Sequence, residues 1–192
     1  VAFGYLVVYV DDVLIVVSDP FIGAATAAIK GKWKITGKPT LRYGSGKSVE
    51  YLSVDIAAVT DGYYLSQMVY TRDLLSRWSM DECRPIGSLE EVGKDTIQES
   101  EEPMVRDVRT AQRLAGGLNW LATRTRPDLS FYVSQLASAA TKQPIRAIAM
   151  GKRCLRYIAG TRYHGPSFKA CQHSSRDCGQ TAQPSSRDCG RL

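Results

Sequence analysis

Two adjacent acids in the middle of an apolar run constrain this chain more than any other feature. Phe3 to Tyr9 and Val13 to Val17 are rich in Val, Ile, Leu and Tyr, and Asp11 and Asp12 lie between them. Residues of these types favour strands, and Asp tolerates the positive φ of a tight connection. The pattern therefore predicts a hairpin closed by a two-residue Asp-Asp bend. Charges at the centre of the run, with no basic flank or small-residue cleavage site, exclude a membrane span and a signal peptide.

Two carboxylates about 5 Å apart repel by about 3 kcal/mol at an effective dielectric near 20. A divalent cation relieves that repulsion, and hard cations prefer oxygen ligands of this kind. In nucleotidyl transfer, paired metals stabilise both the attacking and the leaving oxygen. On the residues alone, an ordinary polar turn with two solvated aspartates stays open as the alternative.

The rest of the chain reads as alternating structure. Pro20 and the Ala-rich stretch from Ile22 to Trp33 predict a helix, and Thr36 to Ser48, with three glycines and a proline, a loop. Glu50 to Thr60 is strand-like, Asp61-Gly62 signals a turn, and Tyr63 to Ser66 returns. Helices follow at Met68 to Met80, at about Val105 to Ala122, from Pro127, and from Pro144 to Gly160, where Gly supplies a stop. Trp33, Trp78 and Trp120 are expected in the core rather than as base-stacking platforms. The hexapeptide Ser174 to Gly179 recurs at Ser185 to Gly190, and the segment beyond Phe168 is expected to be disordered.

The 192 residues suffice for one ordinary domain or two small ones, and 44% hydrophobic content supports a core. A net charge of +6 makes a polyanionic partner plausible, and its distribution adds to this. Asp81 to Asp107 collects nine of nineteen acids, whereas Arg109 to Lys169 holds eleven bases and one acid, Asp128. Such a stretch can neutralise phosphates or simply face solvent. Five cysteines form no even framework, which points to a reducing intracellular compartment, cytoplasmic or nuclear, rather than secretion. Cys171, His173, Cys178 and Cys189 match no zinc spacing, and Gly44 to Lys47 lacks the spacing of a phosphate-binding loop.

Several motifs in fixed order carry a resemblance. Tyr9-Val10-Asp11-Asp12 with Val13-Leu14-Ile15 is followed by Tyr51-Leu52-Ser53-Val54-Asp55-Ile56, then by Asp61-Gly62-Tyr63-Tyr64-Leu65-Ser66-Gln67 with Tyr70 and Leu74-Leu75. Leu114-Ala115-Gly116-Gly117-Leu118-Asn119-Trp120-Leu121, Thr125-Arg126-Pro127-Asp128-Leu129 and Arg153-Cys154-Leu155-Arg156-Tyr157-Ile158-Ala159-Gly160-Thr161 complete the series. Together, from about Phe3 to Gly165, they resemble the reverse transcriptase of copia-type retrotransposons, the RNA-directed DNA polymerase region of a Pol polyprotein.

The resemblance implies an α+β chain: a partial right-hand polymerase palm of two antiparallel hairpins and a helix over residues 1–67, a helical thumb and connection over 68–165, and a disordered tail over 166–192. It implies that Asp11 and Asp12 are catalytic metal ligands for Mg²⁺ or Mn²⁺ and that Tyr9 lies beside the incoming nucleotide. Tyr51, Leu52 and Ser53 would form a primer grip, with Ser53 where the family has Gly. The basic helices, with Arg124, Arg126, Lys152 and Arg153, would follow the backbone of an RNA template or RNA–DNA hybrid. The chain opens at Val1 inside a strand-like run, so a fragment is expected, with fingers and a further metal-binding Asp supplied by a separate amino-terminal palm and fingers segment. On its own it is expected to be inactive. The rival is a non-catalytic nucleic-acid-binding or decayed remnant.

Overall fold

Apolar residues at helical spacing build the centre of the molecule. The structure, a computed structural model, describes residues 4–89 and 103–169. Helix α2 spans Met68–Arg77, α3 Val105–Arg124, α4 Ser130–Ala139 and α5 Pro144–Gly160, and a short 3₁₀ turn at Pro127–Leu129 leads from α3 into α4. Ala111, Leu114, Ala115, Leu118, Leu121 and Ala122 form one stripe along α3 and are buried. They meet Leu74 and Leu75 of α2, Val133 and Leu136 of α4, and Ala147, Cys154, Leu155 and Ile158 of α5 in a single core. The 3.6-residue period brings such positions to one face, which is why these helices form and pack as they do.

α5 approaches α3 and α4 through a glycine. A Cβ on Gly151 would overlap the side chain of Leu114 and come within 3.0 Å of Leu136 Cδ1. Proline opens both α5 and the 3₁₀ turn, where its missing N–H costs nothing.

Two antiparallel sheets accompany the helices. β1 (Gly4–Tyr9) and β2 (Asp12–Val17) form a hairpin, and α1 (Asp19–Lys30) packs after it with Pro20 in its first turn. The second sheet has the order β3 (Ser48–Tyr51), β4 (Val54–Val59), β5 (Gly62–Ser66) and β6 (Ser167–Lys169). An α+β architecture of two small antiparallel sheets and five helices is thus present among the described residues.

Four readings of the sequence are corrected. Glu50 to Thr60 is two strands, because Leu52 and Ser53 both turn back at positive φ, 51° and 59°. The next bend is Thr60-Asp61, since Gly62 pairs with Val59. The boundary read at residue 166 cuts off a strand: Phe168 pairs with Tyr63, and the Tyr64 hydroxyl donates to the Tyr163 carbonyl, so the chain after α5 is fastened to β5. Three residues are too few to show a strand period in sequence. Trp33 is also not core; it lies beyond α1 and is 61% exposed. Trp78 packs against the core as read. The repeated hexapeptide and the carboxy-terminal Cys and His residues lie outside the described residues, and no described helix is long and apolar enough to cross a membrane.

Gly151 tests the packing directly. Gly151→Ala is expected to lower the stability of the chain by about 1–3 kcal/mol, because the added methyl must displace Leu114. Urea denaturation followed by far-UV circular dichroism measures this, and an unchanged midpoint would contradict the packing.

Candidate functional site

The acidic bend is a two-residue connection whose position differs from the sequence reading. Tyr9 pairs with Asp12, so the bend residues are Val10 and Asp11, and Asp12 is the first residue of β2. Both faces of β1 are apolar, so side-chain alternation carries no information about register. Val10 takes φ 53° and is 87% exposed. A β-branched residue in this region is strained, at a cost of about 1–3 kcal/mol. Asp11, Asp12 and Tyr9 are all exposed at this end of the hairpin. Among the described residues neither aspartate takes part in an ion pair, and no three His, Cys, Asp or Glu side chains gather as a metal site.

The donor chemistry nevertheless suits a hard cation. Two exposed carboxylates offer only oxygen ligands, and magnesium is commonly held by one or two carboxylates plus waters and substrate phosphates. The residues present can therefore supply the protein's share of such a site.

The Tyr51-Leu52-Ser53 stretch forms the β3–β4 bend. Tyr51 closes β3 opposite Val54; its ring is half-buried, and its buried hydroxyl has no hydrogen-bond partner among the described residues. Leu52 is half-buried and Ser53 exposed. Two consecutive positive φ values define a bend that favours Asn-Gly. Glycine at position 53, as in the family that the sequence resembles, suits this backbone without strain. Ser53→Gly is expected to raise stability by about 1 kcal/mol, read as a higher midpoint in thermal denaturation; a loss would show that the left-handed geometry is not adopted.

The four basic residues singled out in sequence separate into different roles. Arg124 is exposed at the end of α3 with its guanidinium 4.5 Å from the centre of the Trp120 ring. Lys152 is exposed on α5, and Arg153 beside it is half-buried. Arg126 is the correction: it is 3% exposed and makes four hydrogen bonds within the protein. Its Nε and Nη2 donate to the two carboxylate oxygens of Asp128 at 2.9 and 2.7 Å. Its Nη1 donates to the Thr161 carbonyl at 2.9 Å, and Nη2 also donates to the Thr161 hydroxyl at 2.8 Å. The Tyr157 ring covers it, with the ring centre 5.3 Å away. A guanidinium so committed is a clamp and not a phosphate contact. The sequence held one signal of this, since Asp128 is the single acid in a long basic stretch and its partner lies two residues before it.

Burial tends to raise the Asp128 carboxyl, but the hydrogen bonds and charge of Arg126, with the Tyr157 hydroxyl, outweigh it and hold Asp128 below the usual carboxylate value. Burial, with Asp128 beside it, pushes the Tyr157 phenol up. The sequence reading missed Gln67, Thr125 and Thr161. The Thr125 hydroxyl meets the Gln67 side-chain oxygen at 2.9 Å and ties the start of α2 to the end of α3. Nothing in their spacing marks these contacts, which span 58 and 35 residues.

The clamp has a pH signature. A carboxyl whose folded value is depressed stabilises fully above the unfolded value of about 3.9 and loses that contribution as pH falls through the folded one. The stability gap between wild type and Asp128→Asn is therefore expected to be widest at neutral pH and to close under acid. Arg126→Gln should cost about 2 kcal/mol at pH 7. Urea midpoints across pH check both, and a gap that widens under acid would contradict the clamp.

Comparison with known proteins places these features. The chain is 32% identical over 166 residues to the retrovirus-related Pol polyprotein from transposon RE2 of Arabidopsis thaliana, and 30% identical over 165 residues to that from transposon RE1. Each match covers 84% of the chain and 10% of the polyprotein. An uncharacterized mitochondrial protein of the same plant is 26% identical over 163 residues, covering 84% of the chain and 63% of that protein. The chain is thus a relative of transposon-encoded Pol proteins. More particularly, its kinship is with the copia type, as its ordered motifs implied, over a segment about a tenth as long as the curated Pol relatives. No family model matches it. No solved structure matches it either.

Proposed function

We propose that this chain is part of the RNA-directed DNA polymerase of a copia-type retrotransposon, comprising the carboxylate turn of the palm and the thumb that follows it. The observation that carries the reading is the hairpin that exposes Tyr9, Asp11 and Asp12 together, in a chain whose relatives are Pol polyproteins. Asp11 and Asp12 would hold Mg²⁺ or Mn²⁺. Bound there, the ion would neutralise charge on the phosphates of the incoming nucleotide and activate the primer hydroxyl. Tyr9, on the same rung of the hairpin as Asp12, would offer an exposed ring beside the nucleotide. Tyr51, Leu52 and Ser53, at a separate sharp bend, offer backbone to the primer end.

The duplex surface in this reading is the exposed side of α3, with Lys152 and Arg153 on α5. Arg106, Arg109, Arg113 and Arg124 are exposed on α3, opposite its buried leucine stripe. Such a face neutralises phosphates without reading sequence. A second reading, a nucleic-acid binder without catalysis, is favoured by the absence of a third acidic partner near Asp11 and Asp12 among the described residues.

Two measurements on the 192-residue chain test the proposal. It is expected to bind an RNA–DNA hybrid with affinity that falls steeply with salt. Mn²⁺ is expected to broaden backbone NMR signals selectively around residues 9–13, and Asp11→Asn with Asp12→Asn should abolish that broadening. Two carboxylates without a third should also bind the ion weakly, and the chain alone should not extend a primer. Hybrid binding with no localised Mn²⁺ effect would leave only the non-catalytic reading. Failure of both would sink the polymerase assignment.

A further inference from the structure

A cleft between α2 and α3 lies outside the acidic turn and both sharp bends. It encloses about 280 Å³ and is lined by Tyr70, Arg77, Trp78, Arg113, Gly116 and Gly117. Arg77 stands two turns after Tyr70 on one face of α2, Trp78 follows directly at its end, and Arg113, Gly116 and Gly117 share one face of α3. The closed end is fixed: the Tyr70 hydroxyl donates to the Gly117 carbonyl at 3.1 Å, and a Cβ on Gly117 would come within 2.9 Å of Leu74. One residue earlier the floor is open, for a Cβ on Gly116 would meet nothing within 4 Å.

We propose that this cleft is a phosphate site in which Arg77 and Arg113 together hold one backbone phosphodiester of a bound nucleic-acid strand above Gly116. Both arginines are exposed, and among the described residues neither has an ion-pair partner. Two like charges beside one cleft repel, and an anion between them removes that cost. Guanidinium groups also match a phosphate with paired N–H donors. Arg77 lines the cleft with Tyr70, and its charge offsets part of the rise that burial causes in the Tyr70 phenol. The volume admits a phosphate and part of its sugar but falls at the lower edge of pockets that enclose a whole small molecule. That favours a strand passing across the cleft over a free nucleotide. Trp78 and Tyr70 give the sugar an apolar wall.

The inference rests on the nucleic-acid reading above and assigns to it a contact that α3 alone does not supply. Fluorescence anisotropy with an RNA–DNA hybrid over a salt series tests it, using Arg77→Gln, Arg113→Gln, the double variant, and Arg106→Gln as a reference cation on α3. Each single cleft variant is expected to weaken binding by about threefold to tenfold, and the double by less than the product of the singles. The slope of log affinity against log salt should fall by about one phosphate in the double variant, not two. Arg106→Gln combined with Arg77→Gln should multiply. Arg77→Gln binding like wild type, or a fully multiplicative cleft pair, would overturn the shared phosphate while leaving hybrid binding intact. Saturable binding of inorganic phosphate that Arg77→Gln abolishes, with hybrid affinity unchanged, would assign the cleft to a free phosphate and also overturn the proposal. A wild-type chain that does not bind the hybrid at all would sink the underlying reading, and the cleft assignment with it. All three side chains are exposed, so circular dichroism should show the same fold throughout.

Discussion

The guanidinium of Arg126 is a charge taken out of water, and a charge so placed costs several kcal/mol unless it is paired and hydrogen-bonded. Here Asp128 and Thr161 supply four contacts and Tyr157 covers the plane. That requirement fixes three chain segments at once: the end of α3, the 3₁₀ turn, and the end of α5 where Thr161 follows Gly160. One residue before Arg126, buried Thr125 reaches Gln67, which stands between β5 and α2. The junction therefore sets the second sheet against the helices. The strand fastened after α5 closes the same circuit, since β6 returns to pair with β5. A polar network of this kind favours one arrangement, because moving Asp128 or Thr161 away would strand the buried guanidinium.

The two parts of the molecule differ in how far they satisfy themselves. The helices bury Leu74, Leu114, Leu118, Leu136, Leu155 and Ile158 almost completely against one another. The first hairpin buries nothing to that degree: Tyr5, Leu6, Val7, Val8 and Tyr9 are each 45% or more exposed. A two-stranded hairpin is marginal in water without a further strand or helix against it, and here α1 packs beside β2. The acidic bend thus sits on the least supported element, while the basic faces sit on the most supported one. Any function that needs metal at Asp11 and Asp12 needs the apolar strands behind them held still.

Legibility followed the physics of each element. Helix α5 was read to the residue because Pro144 and Gly160 carry local start and stop signals, and α3 because its leucines repeat at helical spacing. The first hairpin was legible as a hairpin, but its bend was misplaced by one residue, since both faces of β1 are apolar and Val10 occupies a backbone region that its side chain disfavours. The Leu52-Ser53 bend was hidden for the same reason: neither residue advertises positive φ, so two strands read as one. At the candidate site, residue types pointed to the acidic bend directly, whereas the fate of Arg126 depended on Thr161, which no local pattern brings near. Sequence shows which charges exist; it does not show which of them folding consumes.

That distinction decides what the basic stretch can offer a polyanion. Of the cations between Arg109 and Lys169, Arg126 is withdrawn into the protein and Arg124 lies against Trp120, whose ring keeps its guanidinium flat and exposed. A flat, partly fixed guanidinium loses less freedom on meeting a phosphate than a lysine on a mobile stem. On α3 the leucine stripe faces the core, so Arg106, Arg109 and Arg113 must face outward at one-turn intervals. The same repeat that builds the core thereby lines up the charges, and the rise per turn of about 5.4 Å approaches the spacing between successive phosphates of a strand. Core and surface are two readings of one helical period, and burial of the first makes the second a fixed row.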